Sequence, residues 1–284
     1  MAQEKPTLLH LNNSQSQTIL WLLEELEIPY DLKLFERGTN GAPRSRAPPA
    51  LKETHPLGKS PQLIVAPGGR VIAERSAIAA YLINKYDQAG KFKIAHMGAD
   101  TDDAVREEEL LAFGMSSFNV TAMTALLMHM LKTLSPFFVR PLVAAVAGML
   151  SVGFLNKELA AQLKYMEGEL AGRAFFMSEG DPTRVDVVML FYVQMVAHTG
   201  IADMAPYPNV KGWMERCEAR PAWKRALEKG NGERYAGIPL GAGAMSSFIF
   251  GFDIRRSMLV VKSSSLLFVL RLGIKWAAWL GMSS

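Results

Sequence analysis

The chain has 284 residues, 49% of them hydrophobic, with a formal net charge of +4 and one cysteine. That length accommodates two ordinary domains with their own cores, and the composition excludes a disordered or fibrous protein. The lone Cys217 excludes an intramolecular disulfide and points to a reducing compartment.

The charge is not spread evenly. From residue 235 onward Arg255, Arg256, Lys262, Arg271 and Lys275 stand against Asp253 alone, which accounts for the whole excess. The body is formally neutral, so it lacks the clustered Lys and Arg that a nucleic-acid surface needs to displace counterions. The five histidines, His10, His55, His96, His129 and His198, show no metal-ligand spacing, and no metal is expected. The opening MAQEKPTLLH carries charges and a proline where a secretory signal needs an unbroken apolar run, so a cytoplasmic location is expected.

In chain order, 7–11 reads as a short apolar strand and 16–26 as a helix with a broad apolar face of Ile19, Leu20, Leu22, Leu23 and Leu26. Alternation over 30–35 predicts a second strand, and the Gly, Pro and Arg of 37–49 predict a loop. Strands at 62–65 and 71–72, joined by Pro67, Gly68 and Gly69, form a hairpin, and a helix follows over 76–86. After a polar connector at 87–101, apolar spacing is helical as far as 229, with no convincing strand. The apolar stretch 135–155 is interrupted by Pro136, Arg140 and Pro141, which leaves too short a run to span a membrane and predicts a buried helix pair. Three segments are expected: 1–90, an α/β domain; 91–234, an all-α domain; and 235–284, an apolar basic extension.

Three motifs carry chemistry. At the first strand-to-helix junction, Asn12-Asn13-Ser14-Gln15-Ser16-Gln17 sets hydroxyls at a helix N-terminus, where unpaired N–H groups and the macrodipole favour a developing anion. Taken alone, either serine could equally serve as a helix cap. Before the 62–65 strand lies His55-Pro56-Leu57-Gly58-Lys59-Ser60-Pro61, whose last proline belongs at an edge, a turn or a cis bond. At the start of the 76–86 helix lies Glu74-Arg75-Ser76, an acid and a hydroxyl that suit an amino-acid head group.

The segment NNSQSQTILWLLEELEIPYDLKLFER closely resembles the opening of fungal and bacterial glutathione transferases, and the resemblance continues through about residue 230. Its later parts are Gly180-Asp181-Pro182-Thr183-Arg184-Val185-Asp186, a folding box, and Tyr207-Pro208-Asn209 and Arg220-Pro221 near the end. The resemblance implies a thioredoxin-like N-terminal domain, an all-α C-terminal domain and a homodimer. It implies glutathione as co-substrate, an apolar electrophile as second substrate, and a role in detoxification or in making a secondary metabolite.

By position, Ser14 would hydrogen-bond the glutathione sulfur, and Ser60, before a cis Pro61, would pair with the cysteinyl backbone. Lys59 would reach the glycine carboxylate, and Glu74, Arg75 and Ser76 would hold the γ-glutamyl end. Two departures stand out: Arg75 sits where relatives have serine, and Gln15 and Thr18 replace frequent arginines. The electrophile would lie against 109–130, where Met115, Met123, Met128 and Met130 would suit a pliable pocket, although ordinary core packing is the stronger explanation of them.

A disulfide reductase is disfavoured because no cysteine lies near the site. The rival reading is a non-catalytic binding or scaffold protein of the same fold at a membrane surface. Residues 257–282 carry no acid, and a helix through Arg271 and Lys275 would present one basic stripe beside leucines, Trp276 and Trp279. That pattern predicts an interfacial helix on the cytosolic face of a membrane such as the endoplasmic reticulum.

Overall fold

In the computed structural model, residues 5–38, 46–65, 68–92, 102–135 and 137–230 are described. They lie within one compact unit, 1–239, and the expected tail at 257–282 falls outside the described residues.

The first part is a four-stranded mixed sheet in the order β2-β1-β3-β4, built from β1 (Thr7–Leu11), β2 (Asp31–Phe35), β3 (Gln62–Val65) and β4 (Arg70–Ala73). β1 runs parallel to β2, a pairing that needs a crossover, and α1 (Ser16–Glu25) supplies it. β1 pairs antiparallel with β3, and β3 with β4. β1 is almost wholly buried, whereas β2 at the sheet edge is largely open, which suits its alternation of Asp31 and Lys33 with Leu32 and Leu34. A short α2 (Leu51–Thr54) was not legible inside the predicted loop and its flank; it drops Leu51 into a small apolar cluster with Leu9 and Leu11. α3 (Arg75–Tyr86) closes this part.

The helical part has α4 (Asp102–Ala112), a π-helical stretch at Phe113–Phe118, α5 (Asn119–Leu134), α6 (Arg140–Leu150), a second π-helical stretch at Ser151–Leu155, and α7 (Asn156–Glu169). It continues with α8 (Arg184–His198), α9 (Pro208–Ala219) and α10 (Pro221–Lys229). α8 is the axis: it is buried from Arg184 through Val196. Its start carries the expected box. The Asp186 carboxylate accepts from the Thr183 N–H at 2.6 Å, and also from the Phe176 N–H at 3.1 Å and Trp213 Nε1 at 2.7 Å. The first π-helical stretch packs on α8, and a Cβ on Gly114 would stand 2.5 Å from the Met189 sulfur, so a larger residue there requires the Met189 side chain to move.

The parts join through α1, every residue of which is buried. At its C-terminal end Glu24 bonds Tyr30, Arg225 and Lys229, and Glu25 bonds Trp21, Lys91 and Arg220. Burial alone would raise both carboxyls. The hydrogen bonds, from Lys229 at Glu24 and from Arg220 at Glu25 foremost, outweigh it and hold both below the usual carboxylate range.

One expectation is overturned. The stretch 135–155 is not a buried helix pair: only Ala147 is buried on α6, while Leu142, Val146, Met149 and Leu150 face outward. The buried positions are Ala147 on α6 and Ser151 and Leu155 just after it, and the Ser151 hydroxyl lies 3.1 Å from the Lys132 ammonium of α5. The methionines divide as well. Met130 is in the core, whereas Met115 and Met123 are exposed.

Candidate functional site

The strand register brings the three motifs to one end of the sheet. Leu9 pairs with Gln62, so continuing the antiparallel register sets Ser60 level with Leu11. Gln62 pairs with Ala73, and one further step sets Pro61 level with Glu74. The Ser60–Pro61 bond is cis, and the Ser60 hydroxyl donates to the Leu9 carbonyl at 3.0 Å. Ser14 follows directly from β1, so the corner before α1, the turn before β3 and the start of α3 adjoin.

The turn from β1 into α1 is tight. Asn13 takes a positive φ of 46°, a conformation that asparagine tolerates. Arg37 pins it from the end of β2: its N–H donates to Asn12 Oδ1 at 2.9 Å, and its guanidinium donates to the Asn12 and Asn13 carbonyls at 3.2 and 3.0 Å. A cation therefore stands beside the corner, although Gln15 and Thr18 carry none. The sequence reading missed Arg37, which lies in an Arg- and Gly-rich run that reads only as loop.

Ser14 is buried, and its hydroxyl donates to the Leu11 carbonyl at 2.7 Å while accepting the Ser16 N–H at 3.2 Å. Its oxygen also lies 2.7 Å from the Ser16 hydroxyl. Ser16 Oγ accepts the Leu11 N–H at 3.1 Å and stands 3.0 Å from His10 Nδ1. The result is a buried chain, Ser14–Ser16–His10, running from the corner into the core. Burial pushes the His10 imidazole down to about 4, so the ring is neutral near pH 7. A neutral ring can accept the Ser16 proton or donate one to it, so the direction of the chain follows the tautomer of His10. Ser16 entered the sequence reading only as a helix cap, and His10 only as a scattered histidine. Their link spans a strand, a turn and a helix start, a separation no periodicity reveals.

The start of α3 is arranged differently from its surface pattern. Glu74 takes a φ of 70° and is exposed, and Ser76 is partly exposed. Arg75 turns inward and is 3% exposed, its guanidinium 4.6 Å from the Tyr192 ring centre and 5.9 Å from that of Phe191, both on α8. Gln15 Nε2 donates to the Tyr192 hydroxyl at 3.2 Å, so Tyr192 ties the two helix starts together. Among the described residues, Arg75 Nε and Nη1 have no hydrogen-bond partner. Burial lowers this guanidinium to about 10, still charged at neutral pH. Lys59 is exposed, and its carbonyl accepts from Gln62 at 2.8 Å.

With this geometry stand the likenesses to known proteins. Residues 14–85 match the glutathione S-transferase N-terminal domain and residues 152–221 its C-terminal domain. Glutathione S-transferase 3 of Schizosaccharomyces pombe is 33% identical over 220 residues, covering 78% of this chain and 86% of that protein. The chain belongs to the glutathione S-transferase family. Glutathione S-transferase 1 of Saccharomyces cerevisiae is 27% identical over 77% of this chain and 92% of its own length. The crystal structure of a glutathione S-transferase from Actinobacillus pleuropneumoniae superposes with a TM-score of 0.62 at 29% identity, covering 82% of this chain and 94% of that one. The fold is thus that of the family, a small mixed sheet with a helical second part. Among the described residues no cluster of His, Cys, Asp or Glu could hold a metal ion.

Proposed function

We propose that this transferase-family chain activates glutathione as a thiolate and adds it to an apolar electrophilic carbon. The observation that carries this reading is Ser14, a hydroxyl fixed at the corner before α1 and level with the turns before β3 and α3. There it can leave the Leu11 carbonyl and donate to a sulfur anion. The first N–H groups of α1 and the Arg37 guanidinium add positive field at the same corner.

In this reading the Ser60 backbone, beside Pro61, pairs with the cysteinyl group, and exposed Lys59 meets the glycine carboxylate. Glu74 takes the γ-glutamyl ammonium, while Ser76 and the first N–H groups of α3 favour its carboxylate; Arg75, turned inward onto Tyr192, lends that end only the positive charge it holds behind the helix start. The electrophile lies toward 109–130, where Met115 and Met123 leave apolar surface open.

With 1-chloro-2,4-dinitrobenzene the thiolate sulfur would bond the ring carbon, chloride would leave, and the thiol proton would pass to solvent. The test is the rate of thioether formation by purified protein with glutathione, for wild type and Ser14→Ala. Catalysis by wild type that falls about tenfold in Ser14→Ala is expected. Glutathione binding without conjugation of any aromatic, alkyl or enone electrophile would instead mark a binding protein of this fold.

A further inference from the structure

We infer that the outer face of α6 is a docking surface for an anionic lipid bilayer. Leu142, Val146 and Met149 recur at helical spacing along one side of α6, Phe137 and Phe138 precede it and Phe154 follows it, and each of the six is more than half exposed. Phe137 is 84% exposed, Met149 76% and Leu142 72%. A soluble helix normally turns such residues inward and charges outward; here Ala147, Ser151 and Leu155 are the buried positions. Contiguous apolar exposure of this kind marks an interaction surface.

The charges around the face select its occupant. No acidic residue occurs between Glu109 and Glu158, while Lys132, Arg140 and Lys157 fall within that interval. Arg140 and Lys157 are exposed and carry the positive charge of the rim; Lys132 turns to the inner side, its ammonium 3.1 Å from the buried Ser151 hydroxyl. A second copy pairing face to face would bring the same cations against each other. Residues 235–284 carry five basic residues and one acid, so they too would meet the rim with like charge. An anionic headgroup layer over an acyl boundary complements both the cations and the apolar stripe. The stretch Arg140–Glu169 is long and apolar enough to cross a membrane by length and composition; here it lies on the surface instead, its inner side tied to α5 by the Lys132–Ser151 contact and Leu142, Val146 and Met149 kept to the outer side.

The experiment is flotation of the full-length protein with phosphatidylcholine vesicles, with and without phosphatidylserine, beside hydrogen–deuterium exchange of 137–155. Wild type is expected to float with the phosphatidylserine vesicles, to detach as salt is raised, and to gain protection over 137–155 only when those vesicles are present. Leu142→Glu with Met149→Glu alters two outward positions; its partition should weaken about tenfold or more with an unchanged circular dichroism spectrum. Absence of flotation, or flotation without protection of 137–155, overturns the inference, the second outcome assigning lipid contact to another segment. Protection that needs no vesicles and grows with protein concentration assigns the face to a second copy and overturns it equally. If the double variant does not fold, the exchange pattern of the wild type decides alone.

Discussion

Replacing Ser14 by alanine tests the proposed chemistry at its centre. A hydrogen bond to an anion contributes about 1.5–3 kcal/mol. In the resting protein the Ser14 proton is already held by the Leu11 carbonyl at 2.7 Å, and giving that up costs about 1 kcal/mol. The net gain of roughly 0.5–2 kcal/mol corresponds to a thiol pKa lowered by about 0.4–1.5 units. Ser14→Ala should therefore raise the pKa of bound glutathione by about one unit and cut conjugation about tenfold below that pKa, with little change in glutathione affinity. The assay is ultraviolet absorbance of the bound thiolate against pH, beside the pH profile of kcat. Ser16→Ala should act differently. It strips partners from the Leu11 N–H and from His10, so it should cost about 1–3 kcal/mol of stability and move the thiol pKa less. A wild-type thiol pKa in Ser14→Ala, with a raised one in Ser16→Ala, would refute the reasoning and move the thiolate contact two residues along.

Three further outcomes are expected. Arg75→Met keeps a long side chain against Tyr192 but removes a buried cation without a hydrogen-bonded acid; with only its field lost to the ligand it should raise the KM for glutathione a few-fold with kcat nearly unchanged and leave Tm equal or higher, as steady-state kinetics and calorimetry would show. His10 has a folded pKa depressed to about 4 from 6.5, so the unfolded chain takes up a proton first as pH falls. The stability present above 6.5 is lost toward pH 4, by about 2 kcal/mol at pH 5, and urea titrations should show this slope shrinking in His10→Gln. Gly114→Ala drives a Cβ toward the Met189 sulfur and should cost about 1–3 kcal/mol, measurable by the same titrations; a neutral result would mean that the flexible Met189 side chain repacks to make room.

Much of the fold was legible because its signals are local. The apolar runs of β1 and β3 and the broad face of α1 each announce their element, and the Thr183–Asp186 spacing announces the start of α8. Of the site, the positions of Ser14, Ser60 and Glu74 could be named in advance, since each sits where one element ends and another begins. What escaped depends on orientation. Nothing in Glu74-Arg75-Ser76 says that Arg75 turns inward onto Tyr192, because a helix-start residue can face either way. The composition of 135–155 suits a core helix and a surface helix equally, and only the packing on α5 decides which face is free. His10, Ser16 and Arg37 converge through tertiary placement, and their identities are ordinary for a strand, a cap and a loop.

The complete burial of α1 bears on how far the two halves of this protein are modules. A sheet with three helices looks like a self-sufficient small domain, yet α1 has no solvent face, and its C-terminal acids are matched by cations of α9–α10 and its flank, among them Arg220, Arg225 and Lys229. Expressed alone, the first half would expose Trp21 and leave two carboxylates without their cations. Excision, swapping between relatives or splitting for complementation should therefore fail at the connector after α3, and the intact chain should melt through this junction in one cooperative step.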